Sequence, residues 1–207
     1  MSNPSPALRI VLVDDENVIR TALATMLSLE EDLTVLAEAP TAAEGVRLVV
    51  EHTPEVAVVD LQLPDGDGLE VCEQIAVRSP GTRCLILTSH ARPGYLKRAL
   101  AQGVLGFLPK TTSGQQLAQA VRAVAAGRRA IDPELAAETI SSGDSPLTPR
   151  EADVLEYAAD GAAVEQIARR AHLAEGTVRN YLSSAQAKLQ AANRHEAVAI
   201  ARRQGWI

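Results

Sequence analysis

The sequence predicts two domains: a doubly wound α/β domain with a five-stranded parallel sheet, then a small all-α domain. Apolar runs alternate with helical patterns up to residue 127, and only helical patterns follow residue 147. Such alternation is typical of a parallel sheet with helices on both faces. A length of 207 residues suits two domains better than one.

Five apolar runs have the length of buried strands. They are nearly continuous in Val, Ile, Leu and Ala, as expected for strands covered on both faces. We expect strands at 8–13, 34–37, 56–59, 84–87 and 104–108.

Helical signals separate these runs. Thr41 and Ser113 each precede a Glu or Gln by three residues, which is the spacing of a capping box. Apolar residues at helical spacing predict the buried face of the first helix. They are Val18, Ala22, Met26 and Leu29.

A change of pattern after Gly127 marks the domain boundary. We predict a first domain at 1–127, a linker with a short helix at 128–146, and a second domain at 147–207. Thr148, Pro149 and Glu151 combine an N-cap, a first-turn proline and a capping-box acid, so they predict a helix start there. Four helices follow, at 148–160, 164–171, 175–190 and 194–204.

Composition limits the functional classes. The net charge is −6, with 10 basic against 15 acidic residues up to Gly127 and 8 against 7 from Leu147 onward. This asymmetry predicts different partners for the two domains. Cys72 and Cys84 form no ligand pattern and are interpreted as small core residues. We expect a cytoplasmic protein without a signal peptide or membrane insertion, since no apolar run is long enough to cross a bilayer.

Polar residues follow the predicted strands at one edge of the sheet, where ligands of such folds bind. Asp14 and Asp15 follow the first strand, Asp60 the third, Thr88 the fourth and Lys110 the fifth. The repulsion among three carboxylates predicts a hard divalent cation such as Mg²⁺. Lys110 is expected to pair with an incoming phosphoryl oxygen.

These five residues, with LPDGDG after Asp60, resemble a response-regulator receiver domain over residues 8–127. The resemblance implies that Asp60 accepts a phosphoryl group from a histidine kinase. It implies further that Thr88 and Lys110 contact this phosphoryl group. It also implies a Mg²⁺ site made by Asp14 (through water), Asp15, Asp60 and the backbone carbonyl of Gln62.

The same resemblance implies which residues change conformation on phosphorylation and which set the lifetime of the phosphate. Phe107 is the expected switch aromatic and moves with Thr88, while Gln62 and His90 occupy positions that tune the phosphate lifetime. One feature departs from many receivers, because Pro109 precedes Lys110 and Thr111 follows it. Asp65 and Asp67 are interpreted as turn and helix-cap residues without chemistry.

The third helix of the second domain has two distinct faces. Val178, Leu182, Ala185 and Leu189 form its apolar stripe, and its exposed face is polar without being acidic. Arginine binds guanine and asparagine binds adenine in the major groove of DNA. A solvated amphipathic helix is the alternative interpretation of this pattern.

Three segments, LTPREADVL, EGTVRNYLSSAQAKL and NRHEAVAIA, resemble a LuxR-type helix-turn-helix domain, and the whole chain is similar to the NarL/FixJ family, towards its DesR-like members. The resemblance implies base contacts by Arg179, Asn180 and Ser183. It implies backbone contacts by Thr177 and Lys188. It further implies pairing of two copies through the last helix, at Ala197, Ile200 and Ala201, with Val198 in the core.

Two alanines depart from the family pattern. Ala174 and Ala163 stand where residues with a capping side chain commonly open the two helices of the motif. Because alanine cannot accept a hydrogen bond from the first free amides, each position loses about 1 kcal/mol of helix stabilisation. We therefore expect a DNA-binding domain of marginal stability that relies on dimerisation.

The combined prediction is a phosphorylation-controlled transcription factor and not an enzyme, apart from self-phosphorylation and slow self-dephosphorylation. Its partners would be a sensor histidine kinase, promoter DNA, a second copy and RNA polymerase. Two alternatives compete. One is a DNA-binding regulator with a relic receiver. The other is a magnesium-dependent phosphatase, which the amide Gln62 disfavours because such enzymes place a second acid there.

Overall fold

The computed structural model describes residues 7–141, 145–159, 161–204 and 206–207. The chain forms two compact units, one of Met1–Ala91 with Arg98–Asp132 and one of Arg92–Lys97 with Pro133–Ile207. The first six residues, residues 142–144 near the end of the predicted linker, and the predicted helix end at Asp160 lie outside the described residues.

Six parallel strands form the sheet of the first unit, in the order β2-β1-β3-β6-β7-β8. Their bounds are β1 Leu8–Val13, β2 Leu33–Ala39, β3 Val56–Val59, β6 Arg83–Thr88, β7 Gly106–Pro109 and β8 Ala130–Ile131, and a separate hairpin pairs β4 Gln62–Leu63 with β5 Gly66–Asp67. The prediction of five strands was therefore one short. Ala130 and Ile131, expected in the linker, pair with Gly106 and Phe107.

The parallel register brings the strand ends together. Val13 is paired with Val59, Val59 with Ile86, and Thr88 with Pro109. Because β1, β3, β6 and β7 end at one edge, the polar residues at or directly after these strand ends must also meet there. The central strand β3 is buried, since each of its residues is inaccessible to solvent or nearly so.

Five helices accompany the strands, with bounds α1 Asn17–Ser28, α2 Ala42–His52, α3 Gly68–Arg78, α4 Pro93–Ala101 and α5 Gly114–Ala125. The predicted caps are confirmed, because the Thr41 side chain accepts from the Glu44 amide and Ser113 forms a full capping box with Gln116. Cys72 and Cys84 are buried free thiols, as interpreted from the sequence.

The buried face of α1 is not the one the sequence predicted. Val18 and Leu29 are 82% and 79% exposed, and Ala22 is exposed as well. Leu23 and Leu27 are buried instead. Both sets have helical spacing, so the periodicity alone did not decide which face packs against the sheet.

The second unit contains five further helices: α6 Pro133–Ser141, α7 Pro149–Tyr157, α8 Val164–Ala171, α9 Glu175–Leu189 and α10 Arg194–Arg203. Its core joins Leu155 of α7, Ile167 of α8 and Val178 of α9, all fully buried. The start of α7 is as predicted, with Thr148 and Glu151 forming a capping box and Pro149 in the first turn. Over the described part of the chain, no helix is long and apolar enough to cross a bilayer.

Candidate functional site

The acidic cluster lies at the edge of the sheet where the strands end. Asp14 and Asp60 are buried, with 3% and 6% of their surface exposed. The ammonium nitrogen of Lys110 lies 2.8 Å from carboxylate oxygens of Asp14, Glu16 and Asp60. The sequence prediction that Asp14, Asp60 and Lys110 converge is therefore realised in the fold.

Burial dominates the electrostatics of the two aspartates. It raises the pKa of Asp60 to about 6, against the opposing attraction of Lys110. Burial raises the pKa of Asp14 in the same way. For Lys110 burial acts to lower the pKa, but the carboxylates of Asp60 and Asp14 outweigh it and the pKa is raised. The ammonium therefore stays charged, while Asp60 titrates close to neutrality.

The donor set fits a hard divalent cation. One oxygen from each of Asp14, Asp15, Glu16 and Asp60 lies within 4.8 Å of the others. The Oδ1 atom of Asp60 is buried without a hydrogen-bond partner. An unpaired buried carboxylate oxygen is costly, and a cation ligand or a bonded atom at this position would relieve the cost. Glu16 was not predicted, although its place directly after Asp15 was a signal for it.

The loop after Asp60 is held by close backbone packing. A Cβ atom on Gly68 would lie 2.0 Å from the carbonyl oxygen of Asp60. The amide of Gly68 donates to the carbonyl of Leu61 at 2.8 Å. Glycine is therefore required where α3 begins, because no side chain fits between the helix and the backbone of Asp60 and Leu61.

Asp65 and Asp67 are helix caps, as the sequence indicated. Asp67 accepts from the Leu69 amide at the start of α3. Asp65 caps a different helix, accepting from the amides of Ala42 and Ala43 at 2.7 and 3.0 Å. Burial acts to raise the pKa of Asp65, but these amides lower it. Asp65 thereby ties the loop after Asp60 to the start of α2.

The residues predicted to form the switch are buried beside this edge. Thr88 is fully buried, and its hydroxyl oxygen accepts from the backbone amide of His90 at 3.0 Å. Phe107 is 1% exposed and Gln62 8% exposed. The amide of Lys110 donates to the carbonyl of Thr88 at 2.9 Å, so the two strand ends are joined directly.

In the second unit, α9 has the two faces that its sequence predicted. Val178, Leu182, Ala185 and Leu189 are its buried residues. Arg179, Asn180 and Ser183 are exposed, and Thr177 is half-buried. The guanidinium of Arg179 pairs with Glu175 one turn earlier, at 2.6 Å.

Lys188 has a structural partner that sequence reasoning missed. Its ammonium lies 2.7 Å from the Oε2 atom of the buried Glu151. The hydroxyl of Ser184 donates to the other oxygen at 2.6 Å, and the Thr148 amide donates to Oε2 at 2.7 Å. Burial acts to raise the pKa of Glu151, but Lys188 and Ser184 lower it. This carboxylate joins α7 to α9.

The two alanines stand at the helix starts where the sequence indicated them. Ala174 opens α9 and Ala163 opens α8, and neither makes a side-chain capping bond. One half of a capping box is still present at α8, because the backbone amide of Ala163 donates to the side-chain oxygen of Gln166 at 3.2 Å.

Two of the three predicted dimer residues lie inside their own unit, and the third is partly exposed. Ala197 and Ala201 are completely buried in the core of their own unit, and Ile200 is half-buried. The two alanines contact this core and have no surface to offer a second copy. Ala199 and Arg203 are exposed on the same helix. Val198 is buried, as predicted.

Known protein families match both units. The response regulator receiver domain matches residues 10–122, and the bacterial regulatory proteins of the luxR family match residues 145–201. The transcriptional regulatory protein DesR of Bacillus subtilis (strain 168) is 38% identical over 200 residues, which cover 97% of this chain and 99% of DesR. The DNA-binding transcriptional activator DevR/DosR of Mycobacterium tuberculosis is 37% identical over 203 residues, covering 94% of each chain.

A solved structure shows the same domain pair. The response regulator ChrA of a heme-sensing two-component system has a TM-score of 0.58 at 30% identity, covering 98% of this chain and 100% of ChrA. A receiver with a LuxR-type DNA-binding domain defines a response regulator that controls transcription. This chain belongs to the NarL/FixJ family of response regulators.

Proposed function

We propose that Asp60 accepts a phosphoryl group from a sensor histidine kinase and that this phosphorylation controls the binding of a homodimer to promoter DNA. The observation that carries the proposal is the buried, unpartnered Oδ1 of Asp60 beside the ammonium of Lys110. With a pKa of about 6, Asp60 is mainly ionised at neutral pH and is a competent oxygen nucleophile.

The transfer forms one bond and breaks one. A carboxylate oxygen of Asp60 forms a bond to phosphorus, and the bond from phosphorus to the kinase histidine breaks. The histidine leaves with its electron pair. Lys110 stays charged throughout and exchanges its contact with Asp60 for one with the phosphoryl oxygen, which neutralises charge that develops there.

The carboxylates around Asp60 fit a Mg²⁺ ion. Asp15, Asp60 and the backbone carbonyl of Gln62 would hold it, with Asp14 acting through water. When bound, the ion supplies positive charge that stabilises the phosphoryl oxygens during transfer. Glu16 is a further carboxylate at this edge, and we assign it to holding Lys110, which its ion pair supports.

Thr88 and Phe107 are proposed as the switch. The Thr88 hydroxyl accepts from the His90 amide, so its own proton is free to be donated to a phosphoryl oxygen. Movement of Thr88 towards that oxygen would change the packing around the buried Phe107. Gln62 and His90 are proposed to set the lifetime of the phosphate.

DNA recognition is proposed for the exposed face of α9. Arg179, Asn180 and Ser183 would contact base edges, and Thr177 would contact the backbone. Lys188 would contact phosphate only while sharing its ammonium with Glu151, since an ammonium has three donors. The dimer would place two such helices about one turn of DNA apart.

The proposed setting is the bacterial cytoplasm, because that is where promoter DNA and RNA polymerase lie. Pairing of two copies is proposed for exposed residues of α10, with Ala199 in place of the buried Ala197 and Ala201. The catalytic chemistry of the chain itself is limited to accepting and slowly losing the phosphoryl group.

Intact mass spectrometry tests the acceptor. Wild type, Asp60→Asn and Asp65→Asn are incubated with acetyl phosphate, with Mg²⁺ or with EDTA. We expect one added phosphoryl group in the wild type and in Asp65→Asn, only with Mg²⁺, and none in Asp60→Asn. Repetition with a purified histidine kinase follows. No modification by either donor would favour the relic receiver and contradict the proposal.

A further inference from the structure

The recognition helix carries a single acid, and that acid is bound to the residue expected to recognise guanine. Within α9 (Glu175–Leu189) the sequence has no other Asp or Glu than Glu175. Its Oε2 atom accepts from Nη2 of Arg179 at 2.6 Å. Both side chains are open to solvent, with 60% of Arg179 and 44% of Glu175 exposed.

A carboxylate at this position weakens DNA binding through its negative charge. DNA presents phosphate charges along its whole length, and those charges supply nearly all non-specific affinity. An exposed acid in the first turn of a helix that enters the groove repels them. The acid needs another role if the helix is to bind DNA.

The geometry of the guanidinium supplies that role. Arginine has five N–H donors in a planar fork, so the edge that holds Glu175 leaves other donors for a second acceptor. The O6 and N7 atoms of guanine are neutral acceptors. A phosphate in the same place brings a second negative charge next to Glu175. Contact with guanine therefore keeps the pair, whereas contact with phosphate strains or breaks it.

We infer that Glu175 is a specificity-determining residue of the DNA-binding domain. It holds Arg179 towards the base edges and penalises contacts of that guanidinium with phosphate on unrelated DNA. The inference rests on the proposed function, because it needs α9 to be the helix that contacts bases. An acid that only complements the helix dipole would stabilise α9 without changing which DNA is bound.

Glu165 offers a matched control. It is an exposed acid in the first turn of α8, the other helix of the motif. Replacing it by glutamine removes the same charge from the same kind of position. Any general effect of net charge on DNA affinity therefore appears in Glu165→Gln as well as in Glu175→Gln.

The experiment uses the full-length chain, phosphorylated as above. Wild type first selects a preferred duplex from a random-sequence pool. Dissociation constants are then measured by fluorescence anisotropy for this duplex and for a scrambled duplex of equal length and composition, over a series of salt concentrations. The variants are Glu175→Gln, Glu165→Gln, Arg179→Ala and the double variant Glu175→Gln/Arg179→Ala.

We expect Glu175→Gln to bind the scrambled duplex several-fold more tightly and the selected duplex nearly as before. The preference for the selected duplex then falls roughly three- to tenfold, and the salt dependence on scrambled DNA steepens by about one released ion. Glu165→Gln should keep the wild-type preference. In the absence of Arg179, the substitution at Glu175 should have no further effect on preference.

A preference in Glu175→Gln equal to or greater than that of the wild type overturns the inference while leaving the proposed function intact. Equal loss of affinity for both duplexes, together with a lower melting temperature, assigns Glu175 to helix stability alone and overturns it too. If wild type selects no duplex, or Arg179→Ala binds as wild type does, the proposed recognition face itself is wrong.

Discussion

The acidic pocket of the first unit and the recognition face of the second use the same kinds of charged side chain in opposite surroundings. Lys110 and Asp60 expose 6% and 7% of their side chains, whereas Arg179 exposes 60%. In the pocket, burial shifts the pKa of Asp60 and leaves one oxygen unpaired. On α9 the charges are solvated, and exposed pairs contribute little to stability. Substitutions in the pocket should therefore change folding and chemistry together, whereas substitutions of the exposed charges Glu175 and Arg179 should change mainly DNA binding.

The closest packing in the pocket should give the largest effect. Gly68→Ala would place a Cβ atom 2.0 Å from the Asp60 carbonyl oxygen, so the loop or α3 must move. We expect a loss of about 3 kcal/mol or more in the free energy of unfolding, with phosphorylation of Asp60 impaired.

Gly81→Ala is the control for this substitution, because nothing lies within 4 Å of a Cβ atom there. It should change stability by less than about 0.5 kcal/mol. Urea unfolding and the mass of the phosphorylated chain measure both effects. Equal stability of the two variants would show that the loop tolerates a side chain at Gly68.

The shifted pKa of Asp60 predicts a stability that depends on pH. The folded protein holds this carboxyl at a pKa of about 6, above the ordinary value of 3.8. Between pH 3.8 and about 6 the unfolded chain therefore binds fewer protons at this carboxyl than the folded protein does. The free energy of unfolding falls as pH rises through this window. Asp60→Asn avoids this cost, so it should be more stable than wild type by about 2 kcal/mol at pH 7.5 in EDTA. The gain should disappear near pH 4.

Asp32→Asn should change stability in the opposite direction to Asp60→Asn at neutral pH. Arg122 lowers the pKa of the exposed Asp32, so this charge stabilises the fold above its ordinary pKa and the contribution is lost as pH falls. The substitution should destabilise at neutral pH. Chemical unfolding at a series of pH values checks both variants. Parallel curves for wild type and Asp60→Asn from pH 4 to 8 would refute the burial cost.

Glu151 is a buried charge of the second unit, so its substitution should change stability as substitutions in the pocket do. It is 4% exposed and accepts from Lys188, Ser184 and the Thr148 amide. Glu151→Gln keeps an oxygen for the cap but loses the charge, and we expect a loss of about 1.5 kcal/mol. Glu165→Gln, at an exposed site, should be nearly neutral. Similar thermal melts for the two variants would place Glu151 among the weak surface pairs.

The smallest effect is expected at the start of α9. Ala174→Ser supplies the missing capping oxygen and should stabilise by about 1 kcal/mol, with slower hydrogen exchange of the amides in the first turn of α9. Ala187→Ser, exposed within the same helix, should destabilise slightly. No slowing of exchange in Ala174→Ser would mean that these amides are already satisfied.

Order along the chain was enough to predict the acidic pocket. Asp14, Asp60 and Lys110 each follow an apolar run, and parallel strands bring their carboxyl ends to one edge whatever the details of packing. The capping boxes at Ser113 and Thr148 and the buried stripe of α9 are equally local, because they depend on spacing within one helix.

Only the tertiary structure decided which helix face is buried and which charges meet. Two stripes of α1 have helical spacing, and packing against the sheet chose Leu23 and Leu27. Likewise, Ala197 and Ala201 of α10 pack into their own core. Glu16 reaches Lys110 across 94 residues and Glu151 reaches Lys188 across 37. Such pairs depend on the folded positions of distant elements, and no periodicity within one helix or strand encodes them.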